Sequence, residues 1–168
     1  MKPRIEHWKF APGAFKAMAS LETYLSGALD KPLLHIVKLR ASQINGCAYC
    51  IDMHWKDARA VGETEQQLYG LDAWRESPYY SDRERAALEW TEALTIIAEP
   101  QAGHVTDAVY DAVRNHFSEK ELADLTWAVA SINAWNRVAI SLRSEPGRYR
   151  PAGHADDQQT SKQPVDRA

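Results

Sequence analysis

From Ser118 onward, Leu122, Leu125, Val129, Ile132, Trp135, Val138, Ala139 and Leu142 recur at helical spacing. That spacing lays one apolar stripe along a single long α-helix and fits no strand. Ser118 is followed three residues later by Glu121, the pattern in which a hydroxyl and a carboxylate reciprocally cap a helix start. Pro146-Gly147 is its expected end. The same signature opens two earlier helices, at Thr64 with Gln67 and at Ser81 with Glu84. The Ser81 helix is predicted to pass through Leu88, Thr91, Leu94 and Ile97 to a stop at Glu99-Pro100.

Helical spacing governs the rest of the chain too. After Pro12-Gly13, Phe15, Met18, Leu21, Leu25 and Ala28 form one stripe. Asp30 caps a second helix that tolerates Pro32 in its first turn and runs through Leu33, Ile36, Val37, Leu39 and Ile44. Asn45-Gly46 interrupts it, and a third helix starts at about Cys47 and ends near Gly62. A further short helix from about Thr106 presents Val109, Ala112 and Val113. No stretch sustains the alternation of a strand, so the fold class is all-α. Residues 1–143 are expected to form the domain. Residues 144–168, polar and rich in Pro, Gly, Asp and Gln, read as a tail that is mobile or ordered only by a partner.

Composition narrows the function. The 168 residues suffice for one sizeable core, and 45% hydrophobic with 26% charged residues is ordinary for a water-soluble domain. A mean hydropathy of −0.50 argues against a membrane span. The segment MKPRIEHWKF lacks a secretory apolar stretch, which makes the cytoplasm the expected compartment. Twenty basic against 23 acidic side chains give a net charge of −3, with no cationic footprint for nucleic acid.

The two cysteines, Cys47 and Cys50, are separated by two residues. A disulfide closing so short a loop adds little stability, so the spacing points to redox or metal chemistry rather than stapling. Asn45-Gly46 puts both in the first turn of the following helix, where free amides and the helix dipole favour a thiolate. His54 lies one turn on, about 6 Å along the axis, and helical side chains lean toward the N-terminus, so its imidazole can reach back over Cys50. The dipole and greater expected exposure favour Cys47 as nucleophile; the histidine favours Cys50, and a neighbouring base is weighted more heavily. Zinc on Cys47, Cys50 and His54 is the sharpest competitor, but Cys47 and His54 are about 10 Å apart on a regular helix. A thioredoxin-like reading lacks its βαβ context.

The stretch HIVKLRASQINGCAYCIDMHWKDARAVGET, residues 35–64, resembles the AhpD-like alkylhydroperoxidase family within the carboxymuconolactone decarboxylase superfamily. The likeness extends less sharply through YSDRERAALEWTEALT and INAWNRVAI, from about residue 20 to residue 142. The family pattern is a glutamate, eleven residues, CxxC, three residues and a histidine. The resemblance implies an AhpD-like helical bundle assembled into trimers or hexamers. It implies Cys50 as the peroxidatic thiol, Cys47 as the resolving one and His54 as a proton relay. Hydroperoxide would be the substrate, a dihydrolipoamide-like or thioredoxin-like dithiol the reductant, and no cofactor or metal is expected.

This chain departs from the pattern in two places. His35 stands twelve residues before Cys47, in the glutamate position, and Tyr49 stands where some peroxidase members have a second histidine. His35 is either an alternative relay group or an ordinary histidine on a helix face. Glu89 and Glu92 are candidate substitutes for the missing carboxylate, against the plainer reading of solvated helix charges. Trp90, Trp127 and Trp135 suit a core or a subunit interface, and Asn133 and Asn136 are poor intrinsic choices inside an apolar helix. The expected function is a thiol-dependent alkylhydroperoxidase. The alternatives are a thiol-disulfide oxidoreductase or redox sensor with little peroxidase activity, and an assembly protein with vestigial cysteines.

Overall fold

The computed structural model describes residues 2–97 and 105–151. Among them are eight α-helices and no strand: α1 His7–Phe10, α2 Pro12–Ala28, α3 Lys31–Asn45, α4 Ala48–Ala60, α5 Glu65–Tyr69, α6 Asp82–Thr95, α7 Asp107–Arg114 and α8 Glu119–Leu142. A short 3-10 turn, Leu71–Ala73, follows α5.

The helix starts follow the sequence closely. Ser81 and Ser118 each make both bonds of a capping box, and Asp30 accepts from the Leu33 N–H. Thr64 accepts from the Gln67 N–H, the forward bond of its box. The helix ends depart more. Helix α6 stops at Thr95, short of the expected run through Ile97, where three β-branched residues in a row weaken helix propagation. The expected stop at Glu99-Pro100 lies outside the described residues. Helix α8 ends at Leu142, with Arg143 in the left-handed region at φ 58°.

Helix α3 is the centre of the bundle and packs against α4, α6 and α8. Its Ile36 and Leu39 join Leu88 of α6 and Leu125 and Val129 of α8 in the main core. A second cluster gathers Ala41, Cys47, Cys50, Ile132 and Ala139 where α3, α4 and α8 meet. Helix α2 lies on α8 and buries only Leu25, while Phe15 of its apolar stripe stays 41% exposed. The tryptophans divide accordingly. Trp90 is buried, Trp135 donates to Glu22 Oε1 at 3.0 Å, and Trp127 is 59% exposed.

Where the sequence reads as a polar tail, residues 144–151 return along α4. The Gly147 N–H donates to Asp52 Oδ2 at 3.0 Å, Lys56 reaches the Tyr149 carbonyl at 3.3 Å, and the Tyr149 hydroxyl donates to Asp57 Oδ1 at 2.6 Å. The Tyr149 hydroxyl, the Gly147 amide and two carbonyls met by Lys56 tie down a segment whose composition is otherwise that of a linker. Residues 152–168 lie outside the described residues.

Leu125 is fully buried between α3 and α6. Leu125→Ala is expected to cost about 2–5 kcal/mol of unfolding free energy, measured by urea denaturation.

Candidate active site

Helix α3 ends in Asn45-Gly46, and Gly46 adopts φ 68°, a left-handed turn that a side chain would strain. The turn delivers Cys47 to the N-cap of α4, where its sulfur accepts from the Cys50 N–H at 3.4 Å. No acidic residue occupies the first turn of α4, so no carboxylate competes there for the positive end of the dipole. Both cysteines are free thiols.

The expected exposure of Cys47 is not found. Cys47 is 1% and Cys50 2% exposed, because Ile132 and Ala139 of α8 close over the start of α4, with Trp135 and Tyr49 at the edge. Burial alone would raise both thiols, and the contacts between them decide the outcome. A hydrogen bond from Cys50, with help from the Cys50 N–H and Asn136, brings Cys47 down to about 7 from an ordinary 9.0. The same bond, burial and the charge on Cys47 push Cys50 up. The pair therefore loses its first proton near neutrality and strongly resists losing a second, as coupled groups do.

Asn136 resolves the question left by the polar residues of α8. Fully buried, it acts on both thiols, donates to Ser42 Oγ at 3.1 Å and accepts from Asn45 Nδ2 at 2.8 Å. Asn45 Nδ2 also donates to Asn133 Oδ1 at 3.0 Å, and Asn133 donates to Thr95 Oγ1 at 3.1 Å. The chain of amides ties the Asn-Gly turn to α8 and α6, which explains why intrinsically poor helix residues sit in an otherwise apolar helix.

His54 is 5% exposed on the inner face of α4. It meets His35 of α3 with ring centroids 6.3 Å apart, and its Nδ1 lies 3.7 Å from Asp57 Oδ2, longer than a hydrogen bond. Among the described residues neither nitrogen of His54, nor Nδ1 of His35, has a hydrogen-bond partner. Burial lowers His54 below 6.5 and takes His35 down to about 4, so both rings are neutral at neutral pH. Asp57 is held below its ordinary value: burial pushes it up, but His54 and the Tyr149 hydroxyl outweigh that. The donor atoms of His35, His54 and Asp57 all lie within 4.8 Å of one another.

Of the acidic candidates, Glu92 is engaged elsewhere. Its Oε1 accepts from Arg40 and Trp74 at 2.8 Å each, and its Oε2 accepts from Arg75 at 2.5 Å. Burial would raise it, but these donors hold it below the ordinary carboxylate range and clamp α6 to α3. Glu89 is half-buried on α6. The carboxylate that does stand beside His54 is Asp57, overlooked in the sequence although the three-residue spacing puts it on the same helix face. Tyr149 carried no local signal at all.

Against this geometry, comparison with known proteins is decisive. The family model described as carboxymuconolactone decarboxylase family matches residues 12–93. The uncharacterized protein YdfG of Bacillus subtilis is 41% identical over 143 residues, covering 84% of this chain and 95% of that protein. The chain belongs to the carboxymuconolactone decarboxylase family. Within that family, a crystal structure from Agrobacterium tumefaciens, described as of unknown function and as a candidate antioxidant defence protein AhpD, is 46% identical. It covers 87% of this chain and 99% of its own, with a TM-score of 0.81. An AhpD-core, peroxidase-related protein from Ralstonia eutropha shares the fold at 21% identity and a TM-score of 0.73, over 84% of this chain and 74% of its own. The expected AhpD-like helical fold is thus found. Among the described residues no helix is long and apolar enough to cross a membrane.

The buried imidazoles make stability depend on pH. With His35 lowered to about 4 from 6.5, the unfolded chain takes up the proton first, so the stabilisation is complete above the unfolded value and declines as pH falls toward 4. His54 acts in the same direction. The urea midpoint is expected to fall between about pH 7 and about pH 4, and His35→Gln to reduce the slope of unfolding free energy by about one proton. An unchanged slope in that variant would contradict the assignment.

Proposed function

We propose that this family member reduces hydroperoxides through a Cys47–Cys50 dithiol/disulfide cycle. The supporting observation is the pairing of the two thiols at the N-terminus of α4: the Cys47 sulfur accepts from the Cys50 N–H at 3.4 Å, and a hydrogen bond from the Cys50 thiol brings Cys47 down to about 7. Ionisation favours Cys47, whereas the family pattern assigns attack to Cys50. The shared hydrogen bond reconciles them, since passing its proton from Cys50 to Cys47 moves the thiolate to Cys50. That thiolate attacks the peroxide, breaks the O–O bond and becomes a sulfenic acid, while the departing oxygen takes a proton and leaves as alcohol or water. Cys47 then attacks the sulfenic sulfur, water leaves, and a disulfide forms. A dithiol of the dihydrolipoamide or thioredoxin type restores both thiols and is itself oxidised to its disulfide.

His54 serves as the relay in this reading. Buried and neutral, it is a proton acceptor, with the Asp57 carboxylate 3.7 Å away as the nearby acidic group in place of the family glutamate. His35 extends the same pair of imidazoles. A second reading, a thiol-disulfide oxidoreductase or redox sensor, draws support from the near-complete burial of both thiols, which restricts access of peroxide. Self-association into a trimer or hexamer fits the uncovered aromatic face of α2 and α8, where Tyr24, Trp127 and Leu21 line a cleft of about 420 Å³. A cytoplasmic setting fits a cycle that depends on dithiol reductants.

Cys50→Ser is expected to abolish hydroperoxide turnover with a dithiol reductant. Cys47→Ser should stop turnover yet form a trappable sulfenic acid at Cys50. Turnover retained in either variant would rule out the cycle, and a sulfenic acid on Cys47 of the Cys50→Ser variant would exchange the roles. Separately, the alkylation rate of the wild-type protein should rise with pH through about 7, below the ordinary thiol value of 9.0. A disulfide cycle without measurable peroxide consumption would select the redox-sensor reading.

A further inference from the structure

We infer that His35, His54 and Asp57 form a site for one divalent ion of the zinc class. The inference departs from the metal-free expectation and, against the Cys47, Cys50 and His54 set, keeps only His54 and replaces both thiols by His35 and Asp57. It goes beyond the thiol cycle and does not depend on it.

The three residues come from two adjacent helices. His35 projects from α3, and His54 and Asp57 share one face of α4. Their donor atoms lie within 4.8 Å of one another, and His54 Nδ1 and Asp57 Oδ2 are 3.7 Å apart. Bonds of about 2.1 Å in a tetrahedron put donors about 3.4 Å apart, so the widest donor pair has to close by at most about 1.4 Å, shared between two side chains, to hold an ion.

A second observation points to a ligand. His54 is 5% exposed, yet both of its nitrogens lack a hydrogen-bond partner among the described residues, as does Nδ1 of His35. Buried polar atoms are nearly always bonded, and an unbonded Nδ1 of His35 together with an unbonded His54 ring near one carboxylate forms a shared gap in that pattern. A metal ion accepts the lone pairs that no protein donor reaches.

The surroundings suit such an ion. Tyr149 holds Asp57 Oδ1 at 2.6 Å and leaves Oδ2 toward His54, the outer hydrogen bond that typically orients a carboxylate ligand. Both rings are neutral at neutral pH, the form that ligates. Of the nearby cations, Lys38 is paired with Glu22, and Lys31 is exposed at the start of α3. Two imidazoles and one carboxylate are borderline donors that favour zinc, cobalt, nickel or ferrous iron over calcium or magnesium. Three protein ligands leave a fourth position open. Under the peroxidase reading, an ion here takes the lone pair His54 would use as a base, so metal and thiol cycle compete for one ring.

The test removes the thiols as rival ligands. The full chain carrying Cys47→Ser and Cys50→Ser is titrated with zinc by calorimetry and with cobalt by visible absorption. The expected result is one equivalent bound with a Kd below about 1 µM, and a cobalt spectrum of nitrogen and oxygen ligation. Adding Asp57→Asn or His35→Gln should weaken binding at least about 100-fold with helical content unchanged, and Tyr149→Phe about 10-fold. Should the ligand variants not fold, the Tyr149→Phe titration decides alone, since that hydroxyl sits on a surface segment. Substoichiometric binding in the thiol-free protein, or undiminished affinity in the variants that fold, would overturn the site. Because no peroxide is involved, either result leaves the thiol cycle to its own assay.

Discussion

Everything in this molecule is arranged around a helix that is buried on most of its circumference. Helix α3 carries Leu33, Ile36, Val37, Leu39 and Ala41 into contact with α4, α6 and α8, and it buries Lys38 and Ser42 as well. A helix so enclosed cannot leave polar side chains unmatched. Lys38 is met by Glu22 of α2, Ser42 by its own backbone and by Asn136 of α8, and Arg40 by Glu92 of α6. Each match fastens a neighbouring helix at one angle, and the site at the end of α3 inherits its geometry from those fastenings.

Two chemical environments result, both on α4. At its first turn the thiols are shielded from water yet supplied with donors, so their first proton is released more readily although burial opposes it. One turn on, the His54 imidazole is shielded without donors, so burial wins and it stays neutral. The contrast is one of hydrogen bonding rather than of exposure, because Cys47, Cys50 and His54 are all nearly inaccessible. A dithiol primed for ionisation on the same helix as a neutral imidazole is a workable arrangement for proton-coupled sulfur chemistry. Asp57 of α4 and His35 of α3 both stand beside His54, on the same side of the bundle.

The sequence exposed much of this because the relevant rules are local. Helix starts at Ser81 and Ser118 depend on residues three apart, and the placement of Cys47 at an N-cap follows from Asn45-Gly46 directly before it. The errors arose where distance along the chain is large. Cys47 looked exposed because a helix start usually is, and only the closure of Ile132 and Ala139 over it shows otherwise. Glu92 reads as a solvated helix charge or a free carboxylate because its partners lie far along the chain, Arg40 on α3 and Trp74 and Arg75 just after the 3-10 turn. The segment after Ser144 looked like a free tail because composition does not register one tyrosine meeting one aspartate across 92 residues.

By itself, then, the sequence determined the longer helices, the caps that start most of them, and the placement of thiol, thiol and imidazole along one of them, since contacts between near neighbours dictate where a helix begins. Only the tertiary structure decided that the thiols are buried, that Asn136 serves them, and that His35, His54 and Asp57 converge. Those facts depend on the angles and offsets at which α3, α4 and α8 cross. Crossing geometry comes from the summed packing of many side chains, and no single local pattern encodes it.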